Sequence, residues 1–125
     1  MAHNHVEYYS SETAQWSTGV DYPYEETIWT YEMVPHGDGF IVFGGMYTGP
    51  GGLYATSVIA KFNPDSNTWS KLGNLKNRRH EFGMIQIGDE YLIIGGSRDK
   101  KTETCRMENN EMICTEREPT MTEFR

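Results

Sequence analysis

The chain has 125 residues, a hydrophobic share of 37% and a formal net charge of −7. That length allows one domain of ordinary size. The acidic balance argues against nucleic acid as a general partner, and no stretch nears the roughly 18 apolar residues a membrane-spanning helix needs.

Residues 1–26 form a polar N-terminal segment. It opens Met1-Ala2-His3-Asn4-His5-Val6-Glu7, without the basic-then-apolar order of a secretion signal. His3 and His5 are spaced like metal ligands, yet no third ligand lies near, so no metal site is expected. Residues 1–15 show no strand or helix pattern. Ala14-Gln15-Trp16-Ser17 echoes Asn67-Thr68-Trp69-Ser70 and is read as a lone strand, the last of a preceding sheet. Val20 to Tyr24 contains Pro23 and reads as loop.

From Thr27 to Val34 a single strand is predicted. Ile28, Thr30, Glu32 and Val34 fall on one face, and Trp29, Tyr31 and Met33 on the other. Large residues on both faces suit a strand packed on both sides. His36-Gly37-Asp38-Gly39 is a hairpin turn, and Phe40 to Phe43 is the partner strand, closed by Gly44-Gly45. Met46 to Thr56 reads as a long loop by its glycines and proline. Ser57–Phe62 and Thr68–Leu72 are the next two strands, joined by Asn63-Pro64-Asp65-Ser66-Asn67, where Pro and Asn/Asp take their usual turn roles.

The same order then restarts. Phe82–Ile87 is a first strand, Gly88-Asp89 a turn, and Tyr91–Ile94 a second strand closed by Gly95-Gly96. A short loop, Ser97 to Lys101, leads to strands Thr102–Met107 and Glu111–Thr115 around an Asn109-Asn110 turn, and asparagine tolerates the positive φ such turns require. Residues 117–125 are a charged tail. Gly44 recurs as Gly95, 51 positions on, a period at which propeller blades repeat. The expected fold is all-β: a partial β-propeller of two four-stranded antiparallel blades, at 27–72 and 80–116.

These residues resemble kelch repeats. The first repeat has the double glycine Gly44-Gly45 and an aromatic, Phe62, followed after six residues by Trp69. Arg79 opens the next blade, and the second repeat has Gly95-Gly96. The resemblance covers roughly residues 27–116 and implies structural roles. The glycines admit close backbone approach. Phe62 and Trp69 fill space between blades, and Arg79 hydrogen-bonds backbone carbonyls of a neighbouring blade.

The second repeat departs from the pattern, for no aromatic–tryptophan pair follows Gly95-Gly96. With Asn109-Asn110 as a two-residue turn, Cys105 faces Cys114 at a non-hydrogen-bonded position, within disulfide reach. A cross-strand bridge would stand in for the aromatic pair; two reduced thiols are the alternative. The Thr-Glu-x-Cys and Cys-Thr-Glu pattern is similar to that of secreted animal kelch-type proteins, which inclines the chain to an extracellular compartment.

No phosphate-cradling loop or zinc spacing is present, and no catalytic set suggests itself. A non-catalytic protein-binding module without cofactor is therefore expected, contacting a protein partner through its loops. Tyr47, Leu53 and Tyr54 are its candidate anchors; plain loop packing is the other reading of the tyrosines. Lys76, Arg78, Arg79 and His80 form one basic cluster, and Arg98, Lys100 and Lys101 another. Each is either solvated loop charge or a rim facing an acidic partner. Two alternatives stand beside this: part of a propeller enzyme of galactose-oxidase type with its site on further blades, or a substrate receptor of a ubiquitin ligase. Two blades do not close a ring, so self-association or further blades are expected to cover the open faces.

Overall fold

The computed structural model describes residues 5–24, 28–97 and 101–117, and among these there is strand and turn but no helix. His3, Thr27, Arg98, Lys100 and the tail from 118 lie outside the described residues.

The chain begins with an antiparallel hairpin, β1 (Val6–Ser10) and β2 (Gln15–Gly19). The sequence reading expects no element before Ala14, so β1 is a correction. Its signal was present: Tyr9 and Trp16 are separated by the same six residues as Phe62 and Trp69, and each pair sits in register across its hairpin.

The single strand predicted from Thr27 is broken. β3 (Ile28–Trp29) stops at Thr30, whose φ is 56°, and β4 (Glu32–His36) starts beyond it. A β-branched residue in the left-handed region is strained. The Thr30 carbonyl there accepts the Glu81 N–H at 2.9 Å. Alternation alone cannot show such a corner.

β4 pairs with β5 (Gly39–Phe43) around Gly37-Asp38. The predicted loop over 46–56 is instead a ribbon. β6 (Met46–Gly49) pairs with the start of β7 (Gly52–Asn63), and β3 pairs with the other edge of β6. Its turn is Pro50-Gly51: proline presets the first central position and Gly51, at φ 84°, takes the positive φ of the second, as in a type II turn. Tyr47 and Tyr54 face each other across the ribbon with ring centroids 5.7 Å apart. The strand predicted at 68–72 is likewise longer, β8 (Thr68–Arg79). Register shifts between Thr56 and Val58, and between Ile59 and Ala60, disturb the pairing of β7 with β8 and hide the alternation.

The second blade, β9 (Gly83–Ile87), β10 (Glu90–Ile94), β11 (Thr102–Glu108) and β12 (Glu111–Arg117), pairs in chain order. The first blade pairs β4-β5-β7-β8. Two four-stranded antiparallel blades are thus present. The main core lies between them, with Ile41, Phe43, Ile59, Leu72 and Leu75 from the first blade against Tyr91, Ile93, Cys105, Met112 and Cys114 from the second. The other face of the first blade carries Val42, Ala60 and Trp69 and is covered by Tyr22. There the Trp69 indole donates to the Val20 carbonyl at 2.7 Å. Beside Tyr22, burial raises the Tyr24 phenol above its ordinary pKa. The outward faces at the two ends stay open, Tyr9 and Trp16 on the hairpin and Ile85, Ile87 and Ile113 on the second blade.

Asn109 and Asn110 both take positive φ, 51° and 66°, as a type I′ turn requires. Cys105 therefore faces Cys114, and the two form a disulfide. Its position is informative. In the first blade Phe40, Phe62 and Trp69 lie in one cross-strand row; 51 residues after Phe40, Tyr91, Cys105 and Cys114 lie in the equivalent row. The bridge occupies the place of the aromatic pair. Reducing it is expected to cost about 2–3 kcal/mol, the chain-entropy value for so short a loop. Thermal melts with and without a thiol reductant check this, and superimposable melts would show that packing alone holds the hairpin.

Candidate functional site

Antiparallel pairing sends alternate connections to opposite ends of the blades. The short turns at 37–38, 64–67, 88–89 and 109–110 lie at one end. The segments joining β5 to β7, β8 to β9 and β10 to β11 lie at the other. These three segments and the adjoining ends of β7 and β8 surround a half-open cleft of about 840 Å³. Leu53, Tyr54, Met46 and Ala55 line one wall; Lys76, Asn77, Arg78 and His80 line another; Gly96 and Ser97 complete it.

The connector between the blades is fixed by the two glycine doublets. The Gly45 N–H donates to the Arg79 carbonyl at 2.8 Å, and the His80 N–H donates to the Gly96 carbonyl at 3.2 Å. A Cβ on Gly44 would sit 2.7 Å from the Arg79 carbonyl oxygen, and one on Gly96 would strike the His80 carbonyl. Only glycine lets the doublets close on the connector from both blades.

Beneath the cleft lies a buried ion pair. Arg79 is fully buried; its Nε donates to a Glu103 carboxylate oxygen at 2.8 Å, and both side chains are without exposure. Its other nitrogens donate to the carbonyls of Gly95 at 2.7 Å and Lys101 at 2.6 Å. Glu103 also accepts the backbone N–H groups of Lys76 at 2.6 Å and Asn77 at 3.1 Å. One carboxylate on β11 thus holds the end of β8, while one guanidinium on β8 holds the loop after β10. A planar fork of five donors suits this task better than an ammonium.

The period of two along β8 sorts its charges. Asn77 and Arg79 point inward, Lys76 and Arg78 outward to the cleft. Neither outward cation makes a side-chain hydrogen bond or ion pair among the described residues. The His80 Nδ1 is buried and has no hydrogen-bond partner there.

The structure brings Leu53 and Tyr54 together with Lys76, Arg78 and His80 of the first basic cluster. Tyr47 does not line the cleft but stacks on Tyr54, whose hydroxyl donates to the Pro50 carbonyl. Arg79, grouped by sequence with the basic cluster, turns away from solvent at the end of β8, rather than opening the next blade's first strand. Lys101 pairs with Glu116 at 3.4 Å. Phe62 and Trp69 lie at the first blade's covered face, and Gly44, Gly45, Gly95 and Gly96 at the connector. Glu103 was missed; its only sequence signal is a carboxylate between two threonines in a strand. Glu103, Cys105 and Cys114 cluster closely enough to suggest a metal site, but the sulfurs are spent in the disulfide and Arg79 holds the carboxylate.

No family model matches the sequence. Among solved structures the fold resembles that of YjhT, with a TM-score of 0.66 at 13% identity, over 84% of this chain and 42% of YjhT. The fold is a partial β-propeller. The chain spans less than half the length of YjhT, and at this identity the likeness is one of fold alone.

Proposed function

We propose that this propeller segment is a non-catalytic, kelch-type module that binds a protein partner, working without a cofactor and in an extracellular setting. The observation that carries the reading is the convergence of three connecting segments and the adjoining ends of β7 and β8, from two blades, on one half-open cleft with aromatic, aliphatic and cationic walls. A rigid strand scaffold presenting side chains from loops is a common binding architecture, and tyrosine and arginine are favoured anchors. The disulfide suits an oxidising compartment. Further blades or a second copy would cover the open end faces, where Trp16 is 69% exposed; alone, the chain is expected to self-associate.

A photo-crosslinking residue at Leu53 is expected to capture a protein partner, and one at Ser66, on the opposite rim, is not. Tyr54→Ala should weaken capture at Leu53 about tenfold, in keeping with loss of an anchor tyrosine. Equal capture from both rims, or none from Leu53, would refute the assignment.

A further inference from the structure

We infer that the cleft receives an extended acidic peptide whose carboxylates stand at alternate positions, a partner class that rests on the protein-binding reading above. Lys76 and Arg78 project from the same face of β8, two residues apart. That spacing is about 7 Å along a strand, which an extended peptide reproduces with side chains at positions i and i+2. Both cations are exposed and unpaired among the described residues, whereas Arg79, the next residue along β8, is buried and spent on Glu103.

Two carboxylates beside the end of β8 are already engaged. Glu103 accepts from Arg79 and from two backbone amides, and Glu116 pairs with Lys101. Lys76 and Arg78 thus stand as exposed cations on one edge of a chain of net charge −7. The opposite wall holds Leu53, which is 61% exposed, and Tyr54. An apolar side chain flanking the acidic pair would cover them. A long polyanion fits less well, because the two cations free among the described residues release few counterions and the acidic chain as a whole repels it.

The test is selection of a random twelve-residue peptide library on the disulfide-intact chain, followed by anisotropy titrations of the enriched peptides. Enrichment of acidic residues at i and i+2 is expected. Replacing those acids with glutamine, or combining Lys76→Glu with Arg78→Glu, should weaken binding at least tenfold, and the loss should shrink at high salt. Peptides with lysine at the same two positions should bind the doubly reversed chain better than the parent chain, a rescue that misfolding could not produce. Enriched peptides without acids that still depend on Tyr54 would overturn the acidic class alone. No enriched peptide at all would overturn the protein-binding reading with it. Heparin fragments binding where no peptide does would assign the cleft to an anionic glycan instead.

Discussion

Arg79→Met is expected to destabilise the chain by about 3–5 kcal/mol, the cost of stranding one member of a buried ion pair. Glu103 would stay without exposure to water, retaining only the Lys76 and Asn77 amides and a weak contact from the Asn77 side chain at 3.4 Å. The carbonyls of Gly95 and Lys101 would lose their donors together, and a buried acceptor left unsatisfied costs roughly 1–3 kcal/mol. Domains of this size hold only about 5–15 kcal/mol in total, so most of the margin would go. Removing both charges, with Arg79→Met and Glu103→Leu, should recover only part of the loss. The two amides and two carbonyls would still lack partners. Urea unfolding of the parent chain and the three variants checks this as a double-mutant cycle. Hydrogen exchange at the amides of Lys76 and Asn77 should rise first. A midpoint for Arg79→Met close to the parent's would show that the clamp contributes nothing net.

Phe62→Ala is expected to cost a similar 3–5 kcal/mol, by loss of buried area and by the cavity left behind. Phe62 is fully buried. Its ring lies 5.3 Å from Trp69, 5.4 Å from Phe40 and 6.1 Å from Tyr8. It therefore joins the strands of the first blade to each other and to the N-terminal hairpin. Phe62→Leu keeps much of the volume and should cost less than half as much. Trp16→Ala makes the control. Trp16 stacks on Tyr9 at 5.4 Å in the same hairpin position, but it faces outward, and at concentrations low enough to keep the chain monomeric its loss should cost under about 1 kcal/mol. The same two-residue motif thus carries different energy according to what covers it. Equal losses from Phe62→Ala and Trp16→Ala would mean that the outer face of the hairpin is itself covered, which an oligomer-size measurement would reveal.

Local chemistry was legible from residues alone. Glycine doublets at one period marked the ends of equivalent strands. Asn109-Asn110 set the register that faces Cys105 with Cys114. The spacing of Phe62 and Trp69 marked their cross-strand contact. The ribbon at β6 was not legible as strand, because Gly49, Pro50, Gly51 and Gly52 look like loop when counted by composition. They act instead as one tight turn between two short strands. The full length of β8 was hidden for a different reason. Its last residues, Asn77 to Arg79, are polar, and the inward-facing Asn77 and Arg79 are compensated by groups far along the chain.

What residues determine unaided is the direction each side chain takes and where the backbone can turn, since both follow from φ, ψ and the two-residue pleat. Only the tertiary structure decided which face meets which neighbour. Lys76, Arg78 and Arg79 read as one cluster along the chain, yet docking of the second blade buries Arg79 on Glu103 and leaves the other two at the cleft. That outcome depends on a carboxylate 24 positions away. The desolvation of a charge is settled by the partner packed against it, not by its neighbours in sequence.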